Sequence, residues 1–89
     1  MNKIKVNIGS KVSVYFQHDE STKNGIIHGI PMSELTDLRI TINNQKYRFQ
    51  YTSKYHHYER LQYGEVCDGF LIKKNNIENV RIKLITTHP

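Results

Sequence analysis

Three observations place this sequence in the all-β class. Apolar residues recur with period two along most of the chain, the spacing that sets one face of a strand against a core. The apolar rows are punctuated by Gly9-Ser10, Asn24-Gly25, Asn43-Asn44 and Tyr63-Gly64, pairs that favour a turn or break in the chain. Alanine, the best helix former, is absent, while β-branched and aromatic residues are plentiful, a bias toward strands.

Ile4, Val6 and Ile8 form the first apolar row, against Lys3, Lys5 and Asn7. Gly9-Ser10 permits a bend, and Val12, Val14 and Phe16 make a second row. The polar run Gln17 to Asn24 reads as a long hairpin loop ending in the turn pair Asn24-Gly25. Gly25 to Ile30 reads as a strand stopped by Pro31, with a short helical turn from Pro31 to Asp37. Leu38, Ile40 and Ile42 then alternate, as do Tyr47, Phe49 and Tyr51 beyond Asn43-Asn44. Pairing Ile42 with Tyr47, Ile40 with Phe49 and Leu38 with Tyr51 puts all six side chains on one face. Arg39, Thr41, Arg48 and Gln50 fall on the other face.

Between Thr52 and Asp68 the sequence allows either a short helix or an extended segment. In the helical reading Ser53 is the cap, with Tyr55, Tyr58 and Leu61 along one side. Gly69 to Lys73 reads as a strand, Lys74 to Asn79 as a tight turn, and Val80, Ile82 and Leu84 as a last strand. Thr86 to Pro89 are expected to fray. Roughly five to seven short strands, with at most one short helix, predict a small barrel, because closure removes unpaired strand edges.

Size narrows the function. The 89 residues make one domain spanning the whole chain, and a chain this short buries roughly 60–65% of its unfolded surface. That allows one thin core and no deep substrate cleft. The net charge of +5 attracts polyanions and argues against a mimic of DNA, though it also simply favours solubility. Cys67 is the only cysteine, so no internal disulfide forms, and a reducing cytoplasm is the expected compartment. Neither a signal peptide nor a membrane span is expected.

The densest chemistry lies in Lys46 to Tyr63, KYRFQYTSKYHHYERLQY. It holds five of the six tyrosines, one phenylalanine, two adjacent histidines and four Lys/Arg residues. Flat π-faces interleaved with cations suit base stacking and phosphate contact. Tyr and Arg are equally the favoured anchors of protein interfaces. Lys73, Lys74, Arg81 and Lys83 make a second basic stripe, with Arg81 and Lys83 on one strand face. Any of these charges also serves an ordinary solvated face.

Catalysis and metal binding find little support. Adjacent His56 and His57 point to different sides of a strand or helix, and zinc would need His18 or His28 plus a carboxylate to converge on them. Ser10, Ser13, Ser21, Ser33 and Ser53 lie in no nucleophile motif. Cys67 with His56 or His57 is the only pair worth naming, and a buried structural cysteine is the ordinary reading. No cofactor is expected.

The order of elements resembles the Sm-like and SH3-like small barrels, with a rhythm similar to that of small YolD-like proteins. VSVYF (Val12–Phe16) resembles their opening strand. Gly25-Ile26-Ile27-His28-Gly29 is similar to their G-x-Φ-x-G strand, Φ being apolar. LRITINN (Leu38–Asn44) and YRFQY (Tyr47–Tyr51) resemble the bent central strands, and GFLIKKNNIENVRI (Gly69–Ile82) the closing segment. Met32 to Leu38 lacks the Asp-x-Φ-x-Asn motif of Sm-like RNA-binding proteins, and Lys73-Lys74-Asn75 replaces their Arg-Gly turn. The resemblance therefore implies architecture and a habit of binding nucleic acid or proteins, without a uridine pocket.

The first expectation is a non-enzymatic module for DNA or RNA. Arg39, Arg48, Lys54 and Arg60 would lie at phosphates, and Tyr55, His57 and Tyr58 would stack on bases beside His56. The alternative is a phage- or plasmid-type protein that docks on a host protein and inhibits or regulates it, anchored by Tyr55, Tyr58, Arg60 and Tyr63. A third expectation is self-assembly into a ring or dimer.

Overall fold

Most of the alternating apolar rows lie in strands. The computed structural model describes residues 5–31, 37–52 and 61–86. It contains β1 (Lys11–Phe16), β2 (Ser21–Gly29), β3 (Asp37–Ile42), β4 (Gln45–Tyr51), β5 (Val66–Lys73) and β6 (Asn76–Thr86). Consecutive strands are antiparallel neighbours, and β6 pairs with β1 to close the barrel. This is a small closed six-stranded barrel, consistent with the Sm-like and SH3-like resemblance. The described residues include no helix, and none is therefore long and apolar enough to cross a membrane.

The core follows the period-two rows. Val12, Val14 and Phe16 of β1 meet Val80, Ile82 and Leu84 of β6, and all six are buried. Leu38, Ile40 and Ile42 of β3 join Phe49 and Tyr51 of β4 on the same side, with Tyr47 partly buried against them. Phe49 and Tyr51 stand edge to face, with centroids 5.2 Å apart and planes at 88°. That is the favoured arrangement of two ring quadrupoles. Cys67 and Leu71 of β5 complete the interior.

Several sequence expectations are corrected in register or extent. The β3–β4 hairpin pairs Ile42 with Gln45, Ile40 with Tyr47 and Leu38 with Phe49, a shift of two residues from the expected pairing. Asn43 and Asn44 alone make the turn, with φ of 51° and 64°. A two-residue turn with both φ positive matches the natural twist of a hairpin, and asparagine tolerates that conformation. Shifting by two keeps every side chain on its expected face.

Asn24-Gly25 is no turn. Asn24 pairs with Ser13 and Gly25 with Val12 inside the β1–β2 ladder. The actual turn is Gln17 to Glu20, where Asp19 Oδ1 accepts from the Ser21 N–H at 3.1 Å and the Ser21 hydroxyl at 2.7 Å. Gly25 is required for packing instead, since a Cβ there would lie 2.8 Å from Ile40 Cγ2.

The described part of the amino-terminal row, residues 5–8, is not a barrel strand. Val6 is buried and its N–H donates to the Leu61 carbonyl at 2.7 Å, whereas Ile8 is exposed. Gly9, at φ 94°, turns the chain into β1. Ser10 is wholly buried, and its hydroxyl donates to Asn7 Oδ1 at 2.7 Å. Strand β6 begins at Asn76 rather than near Val80, because Lys74-Asn75 suffices as the turn. Asp37, assigned in the sequence to a helical turn, opens β3. Pro31 and Leu61, at the ends of the expected helical turn and of the Ser53-capped helix, lie in no helix, and the rest of both falls in residues 32–36 and 53–60, outside the described residues.

Candidate nucleic-acid interface

The inward face of the β3–β4 hairpin is apolar and buried, so its outward face is the one available to a ligand. Arg39 of β3 lies directly opposite Arg48 of β4. Like charges in that position repel. Asp37 relieves the repulsion: its Oδ2 is 3.5 Å from an Arg39 guanidinium nitrogen and 3.3 Å from Arg48 Nε. The Asp37 side chain is 6% exposed while those of Arg39 and Arg48 are 32% and 45% exposed. The carboxylate is thus sunk beneath two cations that still reach solvent.

The same outward face continues with Thr41, which pairs with exposed Lys46 of β4 and with Ile26 of β2. His28 joins it from β2, its Nδ1 2.8 Å from the Thr41 hydroxyl oxygen. Desolvation first, then the charges of Lys46 and Arg39, hold the His28 pKa below its ordinary 6.5. Three permanent cations therefore cluster with one carboxylate and one neutral imidazole across β2, β3 and β4. Such an excess attracts phosphate and is screened by salt.

The predicted site residues separate into distinct places. Arg39 and Arg48 come together over Asp37. Lys54, Tyr55, His56, His57, Tyr58 and Arg60 lie outside the described residues. Tyr63 is exposed and bridges to Leu84 of β6. Lys73 donates to Gln45 Oε1 and stands 5.6 Å from the centroid of Tyr47, beside the start of β4, with Lys74 at the adjoining turn. Arg81 and Lys83 project outward from β6, and Arg81 Nε donates to Asp68 Oδ1 at 3.0 Å. The basic stripe read from sequence thus occupies two positions, one at the β5–β6 turn and one on the β6 face.

Asp37, Lys46 and His28 belong to this surface although sequence reasoning did not select them. Lys46 had a signal, since it alternates with Arg48 on the outward side of β4. Asp37 and His28 had none, because their partners come from pairing between distant segments. Tyr47, Phe49 and Tyr51 serve the core, and the rings of Phe49 and Tyr51 are closed to a stacked base.

Cys67 is buried, and its thiol pKa is pushed up to about 12 by desolvation first, then by Glu65 and Asp68. At neutral pH it stays protonated, a poor nucleophile. Among the described residues, no three His, Cys, Asp or Glu side chains are grouped to hold a metal ion. No protein-family model matches the chain, and no curated protein or solved structure matches it significantly.

Proposed function

We propose that this chain is a non-enzymatic barrel module that binds nucleic acid, with the outward face of β2, β3 and β4 contacting phosphates. The observation that carries the reading is the convergence of Arg39, Lys46 and Arg48 on one exposed face, where Arg39 and Arg48 flank a single sunken carboxylate. The Sm-like resemblance supports it as a fold on which such binding is common. Tyr55, His57 and Tyr58, with Lys54 and Arg60, follow β4 in sequence and supply the stacking and further phosphate contacts in this reading. Each stacked base contributes about 1–3 kcal/mol.

The test is fluorescence anisotropy with labelled single-stranded DNA, single-stranded RNA and duplex DNA at two salt concentrations. The three barrel-face phosphate contacts alone give a slope of about −2 in log affinity against log salt for a single strand, and Lys54 and Arg60 steepen it to about −3.5. Affinity then falls at least about twentyfold from ~50 to ~200 mM salt. Lys46→Gln with Arg48→Gln should flatten the slope by about 1.4, while Arg39 remains beside Asp37. Equal affinity at both salt concentrations sinks the reading. No binding at the lower salt transfers it to a protein partner.

A further inference from the structure

The outward face holds one group that a purely electrostatic contact does not need. His28 sits at an irregularity in β2, where Ile27 pairs with Ile40 and Gly29 with Arg39. Two residues of β2 there oppose one step of β3. A bulge of this kind re-aims a side chain, and His28 is directed to the Thr41 hydroxyl at 2.8 Å. Lys46 faces Thr41 from β4, and Arg39 faces Gly29 from β3.

We propose that His28, Thr41, Lys46 and Arg39 form one phosphodiester subsite, and that His28 takes up a proton when the phosphate binds. This deepens the nucleic-acid reading and rests on it for the identity of the ligand.

The hydrogen-bond chemistry links the proton to the anion. In the neutral form with a bare Nδ1, the Thr41 hydroxyl donates to the ring and is occupied. Protonation puts a proton on both ring nitrogens. Nδ1–H then donates to Thr41 Oγ1, and the Thr41 proton turns toward a new acceptor. A phosphate oxygen is such an acceptor, and Nε2–H of the imidazolium is a second donor to it. One proton thereby adds a charge and releases a hydroxyl donor.

The surrounding charges make this switch depend on the ligand. From β3 the imidazole meets Arg39, while Asp37 is engaged with Arg39 and Arg48. From β4 it meets Lys46. On β1, Lys11 lies opposite Ile26, two residues from His28. Without an anion, desolvation first and then the charges of Lys46 and Arg39 disfavour imidazolium. A bound phosphate reverses that balance and raises the histidine pKa. By linkage, affinity must then rise as pH falls.

The experiment pairs NMR of the histidine ring signals with anisotropy, using a short labelled single-stranded DNA and, separately, inorganic pyrophosphate. His28→Gln identifies the His28 signal, and His18→Gln is a control at a distant histidine. The expected result is a His28 pKa that rises by about one unit on DNA binding, giving affinity about fivefold tighter at pH 5.5 than at pH 7.5. His28→Gln should lose most of that pH gain. Thr41→Val should diminish the gain with the ring still present. DNA binding with an unmoved His28 signal, or a pH gain that survives His28→Gln, overturns the subsite and leaves the nucleic-acid reading standing. A His28 shift with pyrophosphate but no DNA binding at low salt keeps the phosphate subsite and removes the nucleic-acid reading. An unmoved His28 signal with both probes overturns the subsite.

Discussion

Replacing Gly69 with alanine should damage this barrel more than a methyl added at Gly25 or Gly64. Gly69 pairs with Tyr51 of β4 and with Val80 of β6, so it is held on both sides. A Cβ at this position would lie 2.5 Å from the Gln50 carbonyl oxygen and inside contact with Cζ and Cε1 of Phe49. Real Cβ atoms essentially never approach a neighbour closer than 3.0 Å. The carbonyl belongs to the β4 backbone and moves only if the β4–β5 ladder opens. The Phe49 ring is fully buried and packs edge to face on Tyr51, so its displacement also disrupts that pair.

Overpacking of this kind costs about 1–3 kcal/mol, and the aromatic pair contributes about 0.5–1.5 kcal/mol more. The expected loss is about 2–4 kcal/mol. A domain of this length has roughly 4–13 kcal/mol of total stability, so the loss is readily measured and, at the lower end of that range, leaves the variant only marginally folded. The assay is urea unfolding followed by far-UV circular dichroism. Gly64→Ala is the comparison, because nothing lies within 4 Å of its added methyl but its φ is +79°. That strain costs about 1–2 kcal/mol. Phe49→Leu in the Gly69→Ala background should recover part of the loss by vacating ring space. A Gly69→Ala loss below about 0.5 kcal/mol, far under the overpacking range, would refute the argument.

Cys67 should resist a thiol reagent at pH 8 in the native state and react once urea exposes it. Its folded pKa of about 12 lies above the ~8.5 of an exposed thiol. The unfolded state therefore loses its proton first, and stability is full below about pH 8.5 and falls as pH rises toward 12. Cys67→Ala should flatten that alkaline limb in unfolding titrations. Asn44→Gly should stabilise the β3–β4 hairpin by about 0.5 kcal/mol, while Asn44→Val should destabilise it by about 1–2 kcal/mol; midpoints of urea unfolding measure both. Asp37→Asn should lower stability by about 1–3 kcal/mol while tightening oligonucleotide binding at low salt. Unfolding and anisotropy on the same variant check the two opposite signs.

Residue alternation was the legible part of the fold. It put Leu38, Ile40, Ile42, Phe49 and Tyr51 on one side and Arg39 and Arg48 on the other, and the structure buries the first side. Local pattern was less informative about turns. Asn43-Asn44 and Asn24-Gly25 carry comparable turn signals, yet only the first is a turn. Gly25 is explained by the side chain of Ile40, which belongs to another strand. The Asp19-x-Ser21 arrangement was a readable signal for the first hairpin turn, since an aspartate hydrogen-bonds the backbone two residues on.

The candidate surface shows the same division. That Arg39 and Arg48 leave the core follows from period two alone, because side-chain direction is set within each strand. Their meeting over Asp37, and the meeting of His28 with Thr41 and Lys46, required the pairing of β2 with β3 and of β3 with β4. A shift of two residues in register preserves every face, so alternation cannot select among such pairings. The two-residue turn at Asn43-Asn44, the bulge at His28 and the close approach allowed by Gly25 make that selection. Each acts between segments, and so the chemistry of the surface was decided when the barrel closed.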